Sequence, residues 1–205
     1  AEWLFDGVED PSPSPWHSGS TDCAGLHNGL NSCDEAGATA HLERVASVVA
    51  RLDPDILNMV EVEGCDILRR LATLLPSNQR GQGERTPFLV RGTDTFLGQN
   101  VGLLSRLSPA VPLTRSAARE DYPLPGSQCG GDVAAGSTDV SKHYRTVFSL
   151  PGWGDGCSSA ADTGCAALEV AFFGVHFKAI PTEPLSCAKR EAQASIIAAM
   201  VAEDL

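Results

Sequence analysis

The run Asp53-Pro54-Asp55-Ile56-Leu57-Asn58-Met59-Val60-Glu61-Val62-Glu63 constrains the fold of this chain more than any other segment. Ile56, Leu57, Met59, Val60 and Val62 read as a short buried strand, opened by an Asp-Pro-Asp turn signal. Helical periodicity flanks it on both sides. From Thr39 to Leu52 the residues Leu42, Val45, Val48, Val49 and Leu52 fall at helical spacing, and Cys65 to Leu75 carries Ile67, Leu68, Leu71, Leu74 and Leu75 before Pro76 stops it. With the strand-like opening Trp3-Leu4-Phe5, the order is strand, helix, strand, helix.

Beyond Pro76 the period changes. Phe88-Leu89-Val90, Val101 to Leu104, Tyr144 to Leu150 and Leu168 to Val175 read as strands, and Ser186 to Glu203 as a final helix with Ile196, Ile197, Met200 and Val201 on one face. Helices with consecutive strands between them predict an α/β domain with a mixed sheet and helices covering one face. The stretch from Asp6 to Gly37, rich in Pro, Ser, Gly and Asn, reads as a long loop. At 205 residues a single domain spanning 1–205 is expected.

No segment approaches the ~18 consecutive apolar residues that a bilayer span requires. The net charge of −11 argues against broad, sequence-independent binding to polyanions, although a small basic pocket can persist within an acidic surface. Seven cysteines point to an oxidising compartment and to secretion. Cys23 with Cys33 and Cys157 with Cys165 flank short loops at spacings that suit local disulfides, while Cys65, Cys129 and Cys187 remain unassigned. No basic n-region followed by an apolar stretch opens the chain, so a targeting signal is expected to have been removed or never included.

Three segments carry candidate chemistry. Glu61 interrupts the apolar run near its carboxyl end, where open α/β sheets bind ligands, and a carboxylate there can hold a hard cation or pair with a Lys or Arg at a strand edge. Ala171 to Lys178 is an apolar strand delivering His176 and Lys178, two residues apart and on one side of an extended chain. They can serve a phosphoryl group, or be a core histidine and a solvated lysine. Ser141-Lys142-His143-Tyr144-Arg145 concentrates cationic groups at a loop-to-strand junction, suited to a phosphate or to a solvated turn. Gly98-Gln99-Asn100 places amide donors ahead of a buried strand.

The order of these pieces is more specific than any one of them. D-I-x-N-x-x-E-V over Asp55–Val62, G-Q-N-V-G-L-L-S-R over Gly98–Arg106, then S-K-H-Y, G-x-H-F over Gly174–Phe177 and C-x-x-R-E-x-Q-A follow one another. Together they resemble the endonuclease/exonuclease/phosphatase, or DNase I-like, superfamily of metal-dependent phosphoesterases, and within it secreted eukaryotic microbial members. The resemblance implies a four-layer α/β sandwich of two mixed sheets with helices outside. It implies Glu61 as the ligand of Mg²⁺ (or Mn²⁺ or Ca²⁺) and a catalytic residue, and His176 as the catalytic donor to the scissile phosphate. Lys142 becomes the cationic phosphate contact, with Asn100 and Lys178 facing substrate and Arg190 either in a structural ion pair or on phosphate.

The family also has an Asn ahead of its first strand, a G-D-x-N segment and a terminal D-H pair that supplies the general base. None of these occurs between Ala1 and Leu205, so the chain is expected to be a truncated domain, inactive alone. The parent is expected to hydrolyse phosphodiesters as a monomer, with nucleic acid as the first substrate guess. The alternatives are a lipid-headgroup or inositol phosphate phosphoesterase, resembling sphingomyelinases, and a secreted non-catalytic binding protein on the same scaffold.

Overall fold

A computed structural model of the chain describes residues 35–76, 84–93, 99–153, 166–180 and 182–204. The opening strand Trp3–Phe5, the Cys23/Cys33 and Cys157/Cys165 pairs and most of the Asp6–Gly37 loop lie outside these residues. Glu35–Leu52 forms helix α1, Ile56–Val62 strand β1 and Cys65–Leu74 helix α2, so the first periodic stretches fold as their spacing predicts. Helix α1 begins at Glu35 rather than Thr39, because Ala36, Ala38 and Ala40 favour the helix strongly enough to carry Gly37 with them.

Strands β2 (Thr86–Leu89), β3 (Asn100–Ser105), β7 (Lys142–Leu150) and β8 (Leu168–His176) match expected strands, and Pro184–Ala202 forms helix α3. Three strands were not foreseen: β4 (Val111–Thr114), β5 (Arg119–Tyr122) and β6 (Gly136–Asp139). Arg119-Glu120-Asp121-Tyr122 and Gly136-Ser137-Thr138-Asp139 pair as a half-exposed, polar ribbon with no apolar alternation to announce it. Strand β4 carries Pro112, which suits its place at the edge of a sheet.

The described strands make two three-stranded sheets, β1-β3-β2 and β4-β7-β8, beside the β5-β6 ribbon. Every ladder among the described residues is antiparallel, where the sequence suggests a mixed sheet. The reason lies in the crossover. Helix α2 carries the chain from β1 to β2, which run parallel to each other, but β3 inserts between them and runs against both.

Side-chain alternation then sorts β1 onto two cores. Leu57 and Met59 join Leu104 of β3 beneath Leu42, Ala46 and Val49 of α1 and Ile67, Leu68 and Leu71 of α2. Ile56 and Val60 face the other way, with Val101 and Leu103 of β3, and meet Tyr144, Phe148 and Phe172 of the second sheet. Each fully buried Leu or Ile here contributes roughly 1.5–3 kcal/mol relative to its exposed state. Gly102 permits the approach of α2, since a Cβ there would lie 2.6 Å from Leu68 Cδ1.

The helical stripes are narrower than the sequence suggests. Val48 and Leu52 of α1 are exposed, and Ala38 and Ala46 occupy the buried face instead. On α3 the buried positions are Ser186, Ala188, Ala192, Gln193 and Ile196, while Val201 faces solvent, because α3 lies against the small, polar β5-β6 ribbon. A disulfide between Cys129, in the loop joining β5 to β6, and Cys187 in α3 pins that helix, giving both cysteines the partner the sequence left open.

At the amino end of β1, Asp53 accepts from the buried guanidinium groups of Arg85 (2.7 Å) and Arg106, and Arg106 also reaches Asp55 at 3.1 Å. The hydrogen bond from Arg106, then that from Arg85, holds the Asp53 carboxyl below the usual carboxylate range. This cluster ties the turn before β1 to the residue just after β3.

Gly174 of β8 sits where a Cβ would collide with the Tyr144 ring and the Asn58 amide oxygen. Gly174→Ala is expected to lose about 1–3 kcal/mol by overpacking, measured by urea unfolding against the parent chain.

Candidate active site

Strands β1 and β3 pair one to one from Ile56 opposite Ser105 to Val60 opposite Val101, and the next pair is Val62 with Asn100. Glu61 is therefore an extra residue, a β-bulge, and its backbone takes φ 60°, in the left-handed region. A non-glycine residue there costs roughly 1–2 kcal/mol. The bulge decides where the carboxylate goes. In an unbroken strand Glu61 would follow Leu57 and Met59 towards the helices. Val62 takes that place instead, fully buried in the helix-side core, and Glu61 turns towards the second sheet.

His176, the last residue of β8, meets it there. Its Nε2 lies 3.7 Å from Glu61 Oε1, and each side chain keeps 19% of its surface exposed. Lys142, the first residue of β7, pairs directly opposite His176 in the ladder, so both project from the same face. Its Nζ donates to Oε1 of the buried Gln99 at 3.0 Å, just ahead of β3. One end of the inter-sheet space thus gathers a carboxylate, an imidazole and an ammonium from three strands.

The other cations of the Ser141–Arg145 segment go elsewhere. Since β7 begins at Lys142, alternation sends His143 and Arg145 to the opposite face. His143 is buried, with its Nδ1 2.6 Å from the Val140 carbonyl and its Nε2 accepting from the Ser116 N–H at 2.9 Å. Burial chiefly pushes its pKa below the ordinary value of 6.5, and Arg115 adds to that. Arg145 pairs with Asp204 beyond α3. Neither belongs to a phosphate site.

Asn100 is at the right end of the sheet but is buried. Its Nδ2 donates to the Glu63 carbonyl at 2.7 Å and its Oδ1 accepts from the Gly92 N–H at 2.8 Å, so it braces the bulge from behind. Lys178 lies past the end of β8, where the extended alternation with His176 no longer holds; its side chain is exposed and its N–H donates to Gln193. Arg190 is a structural clamp, donating to the carbonyls of Lys178, Ala179 and Ile180. Gln99 belongs to the amide segment expected ahead of β3, whereas Asn58 and Tyr144 lie in the quoted motifs without a role assigned to them from sequence. The polar Asn58 inside an apolar run was the available signal.

A hard divalent cation takes oxygen ligands, and Mg²⁺ is commonly held by one or two carboxylates with waters and substrate phosphate oxygens. The partly exposed Glu61 carboxylate fits that donor set. Cys129, Cys187 and Glu191 also cluster, but the disulfide leaves no thiolate there to bind a metal. Comparison with protein-family models, curated proteins and solved structures gave no match.

Two predictions follow from this geometry. Glu61→Gly is expected to be more stable than Glu61→Ala by about 1 kcal/mol, because glycine alone adopts the left-handed backbone without strain; chemical denaturation of the two variants measures it. Burial lowers the His143 pKa below 6.5, so its contribution to stability is intact above pH ~6.5 and is lost progressively as pH falls below that. His143→Gln, which keeps an acceptor for Ser116, should flatten that slope in unfolding curves taken between pH 7.5 and 5.5.

Proposed function

We propose that this chain carries the metal- and phosphate-binding part of a divalent-metal-dependent phosphoesterase, with the DNase I-like sandwich as its architecture. The observation that carries this reading is Glu61, turned out of β1 by a strained bulge, facing His176 across the two sheets at 3.7 Å. Strain of this kind persists where surrounding structure enforces it, and it gathers at functional sites.

Each residue then has a task. Glu61 supplies the anionic oxygen that holds Mg²⁺ or Mn²⁺. A bound cation supplies Lewis-acid polarisation and neutralises charge on the phosphoryl oxygens. His176 donates a hydrogen bond to a phosphoryl oxygen, and Lys142, steadied by Gln99, adds positive charge from the neighbouring strand. Preorganised donors of this sort are commonly the largest single contribution to such chemistry. The overall reaction joins a water oxygen to phosphorus while the ester oxygen leaves with a proton. A phosphodiester is the substrate class we assign first, and the Cys129–Cys187 disulfide supports an oxidising, extracellular setting.

The whole protein, assayed on bis(p-nitrophenyl) phosphate with Mg²⁺ or Mn²⁺ and with chelator as control, tests the reading. Glu61→Gln should abolish metal-dependent turnover, and His176→Asn should lower kcat roughly 10²–10³-fold while leaving metal affinity unchanged. Parental rates in Glu61→Gln would overturn the assignment.

A further inference from the structure

The proposed site takes its carboxylate from one sheet and its imidazole and ammonium from the other, so the gap between the sheets is itself a property of the site. Apolar packing fills most of that gap, through Ile56, Val60, Val101, Leu103, Phe148 and Phe172. Such packing is non-directional. Within this apolar region Tyr144 of β7 donates its hydroxyl to Asn58 Oδ1 of β1 at 2.9 Å, inward of the Lys142–Gln99 and Glu61–His176 contacts that also link the two sheets.

Its placement is specific. In the β7–β8 ladder Tyr144 lies opposite Gly174, one step inward on the same face from Lys142 and His176. Tyr144 is fully buried, and its ring occupies the space that a side chain at position 174 would need. On β1, Asn58 precedes the bulge and projects towards the same ring. Three strands therefore meet at one hydrogen bond directly beneath the Glu61–His176 pair. A Leu and a Phe at these positions would fill similar space without any polar group to satisfy, and removing both partners of a buried hydrogen bond can be nearly neutral for stability. Stability alone does not call for this pair.

We propose that Asn58 and Tyr144 are positioning residues whose hydrogen bond sets the separation of the two sheets beneath the site, and with it the distance between the cation-binding carboxylate and the phosphate-binding imidazole. The role given to that distance rests on the phosphoesterase reading; the mechanical claim does not.

Two variants of the full chain, Tyr144→Phe and the double variant Asn58→Leu/Tyr144→Phe, separate positioning from packing. The double variant removes both polar partners and should recover most of the thermal stability that Tyr144→Phe loses by stranding the Asn58 amide. Crystal structures of both variants should show the Glu61–His176 separation displaced from the parental one by more than about 0.5 Å, the tolerance within which a site must be held. In calorimetry, Mn²⁺ binding alone should be unchanged in both, while the enhancement of inorganic phosphate binding by Mn²⁺ should fall about tenfold. Parental separation in the variant crystals, or parental enhancement in a chain that binds both probes, overturns the positioning role. A parental chain that binds neither Mn²⁺ nor phosphate overturns the phosphoesterase reading instead, and the crystallographic separations still decide the mechanical claim.

Discussion

Strand β1 is apolar on both faces, and the rest of the structure is arranged to cover it. One face takes α1 and α2, the other takes the β4-β7-β8 sheet, and the two cores share no side chain of the strand. A strand buried in this way has little freedom of register, because a one-residue slip would exchange its two sets of neighbours. The Asp53–Arg85–Arg106 cluster holds its amino end and Asn100 braces its carboxyl end. Glu61 can adopt a strained backbone only because both flanks are pinned.

That rigidity explains how residues far apart in sequence come to share a small space. His176 is the last residue of β8 and Lys142 the first of β7, so the antiparallel pairing of those strands places them side by side. Sheet-on-sheet packing then brings both opposite Glu61. Groups held on strands inside two packed sheets lose little further freedom on meeting a ligand, which is the advantage of building a site on regular elements rather than on loops.

Much of this was legible in the sequence, and the gaps have physical causes. The helix from Thr39, the strand and the second helix to Leu74 announce themselves by period, and Glu61 and His176 stand out as polar residues at the ends of apolar strands. The bulge gave no sign, since the residue with positive φ is Glu rather than Gly. The Lys142–Arg145 cations looked like one cluster because β7 was expected to begin at Tyr144; two residues more of strand, and its period of two divides them between opposite faces. Lys178 does not share the face of His176 by strand alternation, as β8 ends before reaching it. The β5-β6 ribbon is held by α3 and a disulfide rather than by an apolar stripe, so no pattern in its residues betrays it.

The bulge also bears on how such a scaffold could change over evolutionary time. Since Val60 already pairs with Val101 and Val62 with Asn100, loss of the Glu61 codon would leave an unbroken ladder, with every neighbouring side chain on the face it occupies now. The domain could lose the Glu61 carboxylate through one in-frame deletion and keep its interior in register. A lineage descended from such an event would look intact in its hydrophobic pattern while lacking the carboxylate that faces His176.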